Sequence, residues 1–428
     1  MTFELVTPAY AGSAVPGHTD GLRPPTLKGL LRFWWRALHA ALPLPELAER
    51  EARIFGSTGT GQGLVVVPLQ SGPTGAVEPR GQVVPGQHEW HWYSAYGAVS
   101  WDRDRRAQVT QVARMMPSQH LSFRLMMGPV VRDRCEALRE VAHAAWLLST
   151  LGGFGMRSRR GWGSLQLTEP IDDLPCLRAC RSREDVVGKL ADALHVLCPE
   201  PVADLPDYTA LNTRSMILVG PSQVSWEEAL KAIIKPYRTL RRHLGAEHNH
   251  SRTGAPVGRD FDLMEGYRSE PPEPEKGTLT EGSAFGLPHN YQFSSGSHRK
   301  LNVEVALGRG DDDETGGYSS GRRASPLMFK VVRTSIPKRP FVPVVAWLPA
   351  RFISGEHHLV LNCEVAENVW KQRQLLPGGE PAEHHGAIPI FLSDRTETMT
   401  VYAGRDRRKG TVKFTGLRKR GWRAVPWP

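Results

Sequence analysis

Residues 152–163 read Gly152-Gly-Phe-Gly-Met-Arg-Ser-Arg-Arg-Gly-Trp-Gly163 and carry the clearest structural signal in the chain. They follow an amphipathic helix predicted for Asp133 to Leu151 and lead into a strand predicted for Gly163 to Thr168. A helix, a glycine-rich loop and a strand in this order predict the last part of a β-α-β-β-α-β unit.

The elements before this loop complete the unit. They are predicted as a strand at Phe3 to Val6, a helix from Leu27 to about Leu42, and strands at Leu64 to Leu69 and Leu121 to Met127. Thr26 is the expected N-cap of the helix, and Pro43 is expected to end it.

The second half of the chain predicts the same pattern again, as an architectural repeat without sequence repetition. Its elements are predicted as a strand at Met216 to Val219, a helix at Trp226 to Leu244 disturbed by Pro236, strands at Leu327 to Arg333 and Phe341 to Trp347, a possible helix at Cys363 to Leu375, and a final strand at Ala387 to Leu392. The predicted fold class is therefore α+β, with two tandem ferredoxin-like (RRM-like, βαββαβ) domains and a long polar insertion in the second.

The domain boundaries follow from composition. They are expected at 1–170 for the first domain, 171–212 for a linker region, 213–404 for the second domain and 405–428 for a basic tail. Residues of about 245–321 form the insertion, which holds proline- and aspartate-rich runs and is expected to be mobile.

The composition favours a soluble protein that attracts polyanions. The chain has 428 residues, 54 Lys and Arg against 44 Asp and Glu, and a net charge of +10. A basic surface accelerates the encounter with nucleic acid or acidic membranes. No apolar run is long enough to cross a bilayer, and five scattered cysteines argue against a disulfide framework. A cytoplasmic protein without membrane association is expected.

Lys28, Arg32 and Arg36 recur every four residues and form one basic stripe on the first predicted helix. Like charges at this spacing cost a helix free energy, and no acidic residue within the helix relieves them. A bound polyanion would relieve them, so the stripe is a candidate RNA contact. The alternative is a surface helix whose basic side chains lie over apolar packing. Trp34 and Trp35 beside the stripe are expected to belong to the core.

The glycine-rich loop has the composition of a phosphate cradle. Glycines allow positive φ angles, and successive amide groups in such turns can bind an anion. Arg157, Arg159 and Arg160 add planar guanidinium groups suited to phosphate, and Ser158 adds a hydroxyl. The alternative is a connector with incidental arginines. A similar arrangement in the second half, Gly321-Arg-Arg-Ala-Ser-Pro326, makes Arg322, Arg323 and Ser325 further candidates.

Other signals do not amount to a catalytic or metal site. Gly56-Ser-Thr-Gly-Thr-Gly-Gln-Gly63 lacks the Lys-Ser/Thr ending of a nucleotide-binding P-loop. The histidines at 248, 250, 357, 358, 384 and 385 lie in polar contexts without fixed partners, and Asp311 to Glu314 is typical of a solvated loop. No catalytic residue, metal or cofactor is expected.

Several of these segments resemble a known family. The resemblance rests on Thr7-Pro-Ala-Tyr, Leu22-Arg-Pro-Pro-Thr-Leu-Lys-Gly-Leu-Leu-Arg-Phe-Trp-Trp-Arg36, Ile54-Phe-Gly-Ser-Thr58, the loop 152–163, and Phe285-Gly-Leu-Pro288 with Arg322-Arg-Ala-Ser-Pro326. In this order they resemble the RAMP superfamily and, within it, the first-numbered subunits of type III-B CRISPR (Cmr) effector complexes.

The resemblance implies a non-catalytic subunit that assembles with other RAMP subunits around guide RNA (crRNA) and captures target RNA, while other subunits cleave the target. Two alternatives stay open. One is a RAMP-fold endoribonuclease that processes precursor guide RNA without a metal, with His39 as its candidate general acid or base. The other is a scaffold whose arginines bridge acidic partner proteins.

Overall fold

The computed structural model describes residues 1–427 except 16–17, 72–74, 85–88, 128–133, 198, 200, 203, 245–256, 259–280, 288, 293–299, 308–318, 353–356, 367–368, 377–385 and 404–407. Within these ranges, no helix has both the length and the apolar character to span a bilayer. Most of the predicted insertion and the start of the predicted basic tail lie outside the described residues.

The helices alternate with short strands along the chain. The α-helices are α1 (Pro24–Leu38), α2 (Leu44–Phe55), α3 (Glu89–Ala95), α4 (Arg134–Leu151), α5 (Arg183–Leu197), α6 (Trp226–His243) and α7 (Ile388–Leu392). Short 3-10 helices lie at Leu177–Ala179 and Glu281–Phe285.

The strands of the first half are β1 (Thr2–Leu5), β2 (Ala9–Tyr10), β3 (Gly56–Ser57), β4 (Gly61–Gln62), β5 (Val65–Val66), β6 (Leu69–Ser71), β7 (Val77–Glu78), β8 (Val99–Asp102), β9 (Ala107–Thr110), β10 (Arg114–Met115), β11 (His120–Phe123), β12 (Met126–Met127) and β13 (Leu165–Leu167). Those of the second half are β14 (Met216–Val219), β15 (Val257–Gly258), β16 (His289–Gln292), β17 (Lys300–Leu307), β18 (Ser319–Gly321), β19 (Leu327–Arg333), β20 (Phe341–Trp347), β21 (His357–Ala366), β22 (Val369–Leu376), β23 (Thr396–Ala403), β24 (Arg408–Thr415) and β25 (Arg423–Ala424).

Two four-stranded antiparallel sheets share one strand order. The first sheet runs β13-β1-β11-β6, and the second runs β25-β14-β20-β19. In each sheet, the strand that comes first in the chain lies between the third and the fourth. In each half, a helix follows the first strand and another precedes the fourth: α1 and α4 in the first half, α6 and α7 in the second. The prediction of a mixed α and β fold with antiparallel sheets is confirmed.

The second sheet is buried on both faces. Phe329, Val331 and Val345 pack with the apolar side of α6, whereas Met328, Val332 and Val344 belong to the core that includes α4. Strands covered on both sides need continuous apolar runs, which explains the sequences of β19 and β20.

The first helix differs from its prediction at both ends. Pro24 and Pro25 occupy its first turn, where proline's missing N–H and fixed φ cost nothing, so Thr26 lies inside the helix and is not its N-cap. The helix ends at Leu38, and a second helix, α2, begins at Leu44 directly after Pro43. Pro43 therefore lies between α1 and α2 and is the N-cap residue of α2.

Two elements of the second half were predicted wrongly. The segment Cys363 to Leu375 forms the antiparallel strands β21 and β22 and not a helix. Backbone pairing between β21 and β22, and of β21 with β17, satisfies their N–H and C=O groups as strands. The segment Ala387 to Leu392 contains the helix α7, and the fourth strand of the sheet is Arg423–Ala424, within the predicted basic tail.

The two halves meet along the edge strands of the two sheets, β13 and β19. The Gln166 side chain accepts from the Arg333 amide at 2.6 Å and donates to the Arg333 carbonyl at 2.7 Å. The Val331 amide donates to the Ser164 hydroxyl at 3.3 Å, and the Phe329 amide donates to the Arg159 carbonyl at 3.0 Å. This joint satisfies the outward backbone groups that an edge strand exposes and places the glycine-rich loop between the halves.

Candidate functional site at the joint between the two sheets

The chain segment after β1 organises the glycine-rich loop. The Thr7 hydroxyl donates to the Gly161 carbonyl at 2.7 Å and accepts from the Ser164 amide at 2.9 Å. The Gly163 amide donates to the Pro8 carbonyl at 2.8 Å. The motif Thr7-Pro-Ala-Tyr and the loop 152–163 therefore form one hydrogen-bonded structure, although about 150 residues separate them.

Several of the loop amides are used within the fold and are not available for the anion-binding nest that the glycines suggest. Many donate to oxygen atoms of the protein itself: the amides of Gly152, Phe154, Met156, Arg160, Gly161, Gly163 and Ser164. The loop can therefore offer an anion its side chains and those amides that the fold does not use.

Two glycines are required by the geometry of the loop. Gly161 has a φ of +86°, and a Cβ there would lie 2.6 Å from the Leu230 Cδ1 atom of α6. Gly163 has a φ of +64°, and its Cβ would overlap the Phe154 carbonyl oxygen. Any side chain at either position would be strained in backbone and packing alike.

Arg159 connects the loop to the second half. Its guanidinium donates to the Ser325 carbonyl and, at 3.3 Å, to the Thr209 hydroxyl. The guanidinium also lies 5.4 Å from the ring centroid of Phe33 in α1. Burial, and secondarily the nearby Arg160, lower the pKa of Arg159 to about 10, so it stays charged at neutral pH.

Arg323 lies close enough to Arg159 for the two charges to repel. Burial and this repulsion lower the pKa of Arg323 to about 10. Its guanidinium donates to the Phe352 carbonyl at 2.9 Å and to the Ala284 carbonyl at 3.3 Å. The Leu287 amide donates to the Arg323 carbonyl at 2.8 Å. Two candidate segments that are distant in sequence, 152–163 and 322–325, thus meet in one place.

The other loop and turn candidates differ in exposure. Arg157 and Arg322 are exposed, whereas Ser158 and Arg160 are half-buried and Ser325 is buried. The Arg160 guanidinium lies 4.3 Å from the ring centroid of Tyr237, a cation–π contact. The Ser325 hydroxyl accepts from the Leu327 amide at 3.2 Å and is used within the fold.

The basic stripe of α1 has an acidic partner in the next helix. Glu51 of α2 lies 3.4 Å from Arg32 and 3.2 Å from Arg36, and Arg32 also donates to the Gly56 carbonyl. As predicted, no acidic residue within α1 relieves the repulsion between these basic side chains. Glu51 of α2 relieves part of it from the neighbouring helix. Burial, and then Arg32, lower the pKa of Lys28. Trp34 and Trp35 are buried, as predicted.

His39 is packed into the end of α1. Its ring stacks on Trp35 with centroids 4.4 Å apart, and its Nδ1 lies 2.8 Å from the Trp35 carbonyl oxygen. Its Nε2 lies 3.8 Å from Glu140 of α4. Among the described residues, no group of three His, Cys, Asp or Glu side chains could hold a metal ion.

Comparison with known proteins identifies the first half. Residues 2–166, which include β1, α1, α4 and the glycine-rich loop, match the family model of the RAMP superfamily. We call this matched segment, residues 2–166, the RAMP domain. The match ends at Gln166, one residue before the end of β13, the strand that joins the second half.

The chain is homologous to the CRISPR system Cmr subunit Cmr1-1 of Pyrococcus furiosus. The two are 26% identical over 264 residues, which make up 55% of this chain and 73% of that protein. A crystal structure of Cmr1 from Pyrococcus furiosus is similar over 83% of this chain and 88% of that one, with 19% identity and a TM-score of 0.45. A chain of a type III-B Cmr-beta complex bound to cognate target RNA is similar over 81% and 93%, with 11% identity and a TM-score of 0.44.

Lys330 of β19 holds both ends of the RAMP domain's loop. It is fully buried, and its ammonium donates to the carbonyls of Gly152, at 2.5 Å, and Leu165. The Leu148 carbonyl near the end of α4 lies 3.5 Å away, where a helix carries partial negative charge. Burial lowers the pKa of Lys330 well below its usual value.

Glu4 of the RAMP domain forms a second buried polar contact across the joint. Its carboxylate is 1% exposed and binds Arg178 and Arg333, each at 2.5 Å. A buried carboxylate needs such partners, because an unpaired charge there would be strongly destabilising. The joint is thus fixed by specific polar contacts as well as by apolar packing.

Sequence analysis missed several residues that shape this site. Thr209, Tyr237 and Lys330 lie in segments that were predicted only as linker, helix and strand, and Glu51 lies in a segment for which no element was predicted. A lysine inside the apolar strand 327–333 was the one visible signal, since lysine is rarely buried without a specific partner.

Proposed function

We propose that this protein is a non-catalytic RNA-binding subunit of a type III-B CRISPR (Cmr) effector complex. In this proposal it contacts guide RNA and target RNA and binds neighbouring RAMP subunits in antiviral defence. The homology to a Cmr subunit of Pyrococcus furiosus supports the assembly, and the RAMP-superfamily match of residues 2–166 supports the RNA-binding class.

The observation that carries the proposal is the meeting of Arg159 and Arg323 at the joint between the two sheets. Arg159 and Arg323 are both half-buried, and two partly desolvated like charges at this separation favour the approach of an anion. Arg157 and Arg322 flank them at the surface, so a phosphate backbone could approach from outside. Such contacts would hold RNA by its backbone with little sequence preference.

We also infer that each sheet with its helices is a ferredoxin-like unit, as predicted from the sequence. The shared strand order supports this inference, because the first strand is central and the second is at one edge in both sheets. The stripe of Lys28, Arg32 and Arg36 stays a candidate for a second RNA contact. The negative charge of Glu51 reduces the net positive charge that this stripe offers to RNA.

The absence of catalysis is part of the proposal. His39, the candidate general acid or base of a RAMP endoribonuclease, is stacked on Trp35 and within reach of its carbonyl and of Glu140. These contacts favour a structural role for the ring.

Ultraviolet crosslinking of the assembled complex tests the proposal. The chain would be co-expressed with the other subunits of a Cmr complex and a guide RNA, and the crosslinked peptides would be mapped by mass spectrometry. Crosslinks to RNA within 152–163 or 322–325 are expected. A chain that assembles but crosslinks through neither segment would contradict the proposed site.

A further inference from the structure

Tyr96 and Arg157 form an exposed pair beside the glycine-rich loop. The Arg157 Nε donates to the Tyr96 carbonyl at 2.5 Å, and its guanidinium lies 5.9 Å from the Tyr96 ring centroid. The Tyr96 side chain is 59% exposed, which is high for a residue with a large apolar ring.

The backbone at Arg157 is held in an unfavourable conformation. Its φ of +61° lies in the left-handed region, which costs any residue other than glycine free energy. Such strain at an exposed position is a reason to look for function there. Gly97 lies beside the Arg157 guanidinium: its φ is +87°, and a Cβ there would stand 3.4 Å from the Arg157 Nη2, an ordinary van der Waals distance.

The Tyr96 ring is held in place by contact with Trp92. Trp92, which is half-buried, meets it edge to face with centroids 5.8 Å apart. Edge-to-face packing of this kind holds one ring in a defined orientation. Tyr96 is therefore an oriented aromatic surface that is open to solvent.

The electrostatic surroundings are basic. The ionisable groups that act on Arg157 are Arg160 and the tyrosines 237, 96 and 93. Among the described residues no carboxylate forms an ion pair with Arg157. An exposed guanidinium without an acidic partner, next to an exposed aromatic ring, matches what a nucleotide offers: an anionic phosphate and a flat base.

We propose that Tyr96 and Arg157 form a nucleotide subsite for single-stranded RNA, in which the Tyr96 ring stacks on one base and the Arg157 guanidinium binds the adjacent phosphate. The subsite rests on the proposed RNA-binding function. It adds to that function a stacking contact with one base, made by a residue outside the loop. Stacking accepts any base, so the subsite contributes affinity without sequence preference.

The test uses the full chain and a single-stranded RNA that carries the fluorescent base 2-aminopurine. Affinity is measured by titration at several salt concentrations, and stacking by quenching of the fluorescence. Three variants are compared: Tyr96→Phe, Tyr96→Leu and Arg157→Gln. Tyr96→Phe keeps the aromatic face, whereas Tyr96→Leu keeps an apolar side chain of similar size without that face.

Tyr96→Leu is expected to weaken binding about fivefold to a hundredfold and to reduce the quenching, while Tyr96→Phe stays within about twofold of wild type. Arg157→Gln is expected to lower the slope of log affinity against log salt by about 0.7, the value for one phosphate on a single strand. Unchanged thermal unfolding of Tyr96→Leu would exclude misfolding as the cause.

The subsite is overturned if wild type binds RNA and Tyr96→Leu binds equally well, a result that leaves the proposed function intact. It is also overturned if Tyr96→Leu keeps its RNA affinity but no longer binds another subunit, because the surface would then take a protein. Failure of wild type to bind any RNA would overturn the proposed function itself.

Discussion

The guanidinium of Arg159 donates to the main-chain carbonyl of Ser325, although 166 positions separate the two residues in the chain. The bond ties the glycine-rich loop of the RAMP domain to the turn before β19. The candidate RNA site is therefore composite, and neither half of the chain contains all of it.

Removing this bond should weaken the folded state. Arg159→Gln leaves the Ser325 carbonyl and the Thr209 hydroxyl without their shared donor, and the free energy of unfolding is expected to fall by about 1–3 kcal/mol. Denaturant unfolding would measure the change. Arg395→Gln is the matched control, because Arg395 is 80% exposed and pairs with Asp394 only at 4.0 Å. It should stay within about 0.5 kcal/mol of wild type. Equal stabilities for both variants would contradict the role of Arg159 at the joint.

Arg322 is the exposed arginine of the second-half turn and is predicted to bind phosphate without supporting the fold. Arg322→Gln should weaken binding of single-stranded RNA about threefold to tenfold, lower the salt slope by about 0.7, and leave thermal unfolding unchanged. Salt titrations of wild type, Arg322→Gln and Arg395→Gln would measure this. A salt slope that is the same in all three would place the RNA elsewhere.

The loop should depend on glycine at position 161. Gly161→Ala brings a Cβ to within 2.6 Å of Leu230 at a positive φ, and a loss of about 1–3 kcal/mol in unfolding free energy is expected. Gly29→Ala provides the comparison. Gly29 lies in α1 with open space around its Cβ position, and alanine should stabilise the helix there by about 0.5–1 kcal/mol. Thermal unfolding of the two variants should shift in opposite directions, and shifts of the same sign would argue against the loop geometry.

Lys330 should give the folded state a pH dependence. In the unfolded chain its pKa is about 10.4, and burial lowers it well below that in the folded protein. Between these two values the unfolded state binds more protons, so stability rises with pH. Wild type should therefore gain stability relative to Lys330→Met as the pH rises towards 10, by at most about 1.4 kcal/mol per pH unit. Urea unfolding at several pH values would measure the difference, and parallel profiles would show that Lys330 is charged in both states.

Local sequence signals predicted the regular elements of the fold well. The strands β14, β19 and β20 lie at the predicted residues, and helix α6 begins at Trp226 and passes through Pro236 as expected. The strands are rich in apolar residues, and α6 carries an apolar face. Residues 363–375 misled the prediction, because a short mixed segment can satisfy either the helix or the strand period, and pairing with β17 decides between them.

The arrangement of the candidate site could be predicted only in part. The loop 152–163 and the turn 322–325 were both recognised from glycine and arginine content, yet nothing local indicates that Arg159 and Ser325 touch. The effect of Glu51 on the α1 stripe was missed for the same reason: it comes from another helix. The loop amides were assigned to an anion, whereas the conformation commits many of them to the protein.

In the proposed function, the chain binds RNA without cutting it. The most direct test incubates the purified chain with labelled, guide-like single-stranded RNA, in EDTA and in magnesium, across a range of salt concentrations. We expect binding that weakens steeply with salt and RNA that stays intact under both conditions. Cleavage in EDTA that is abolished by His39→Ala would contradict it and identify a metal-independent ribonuclease.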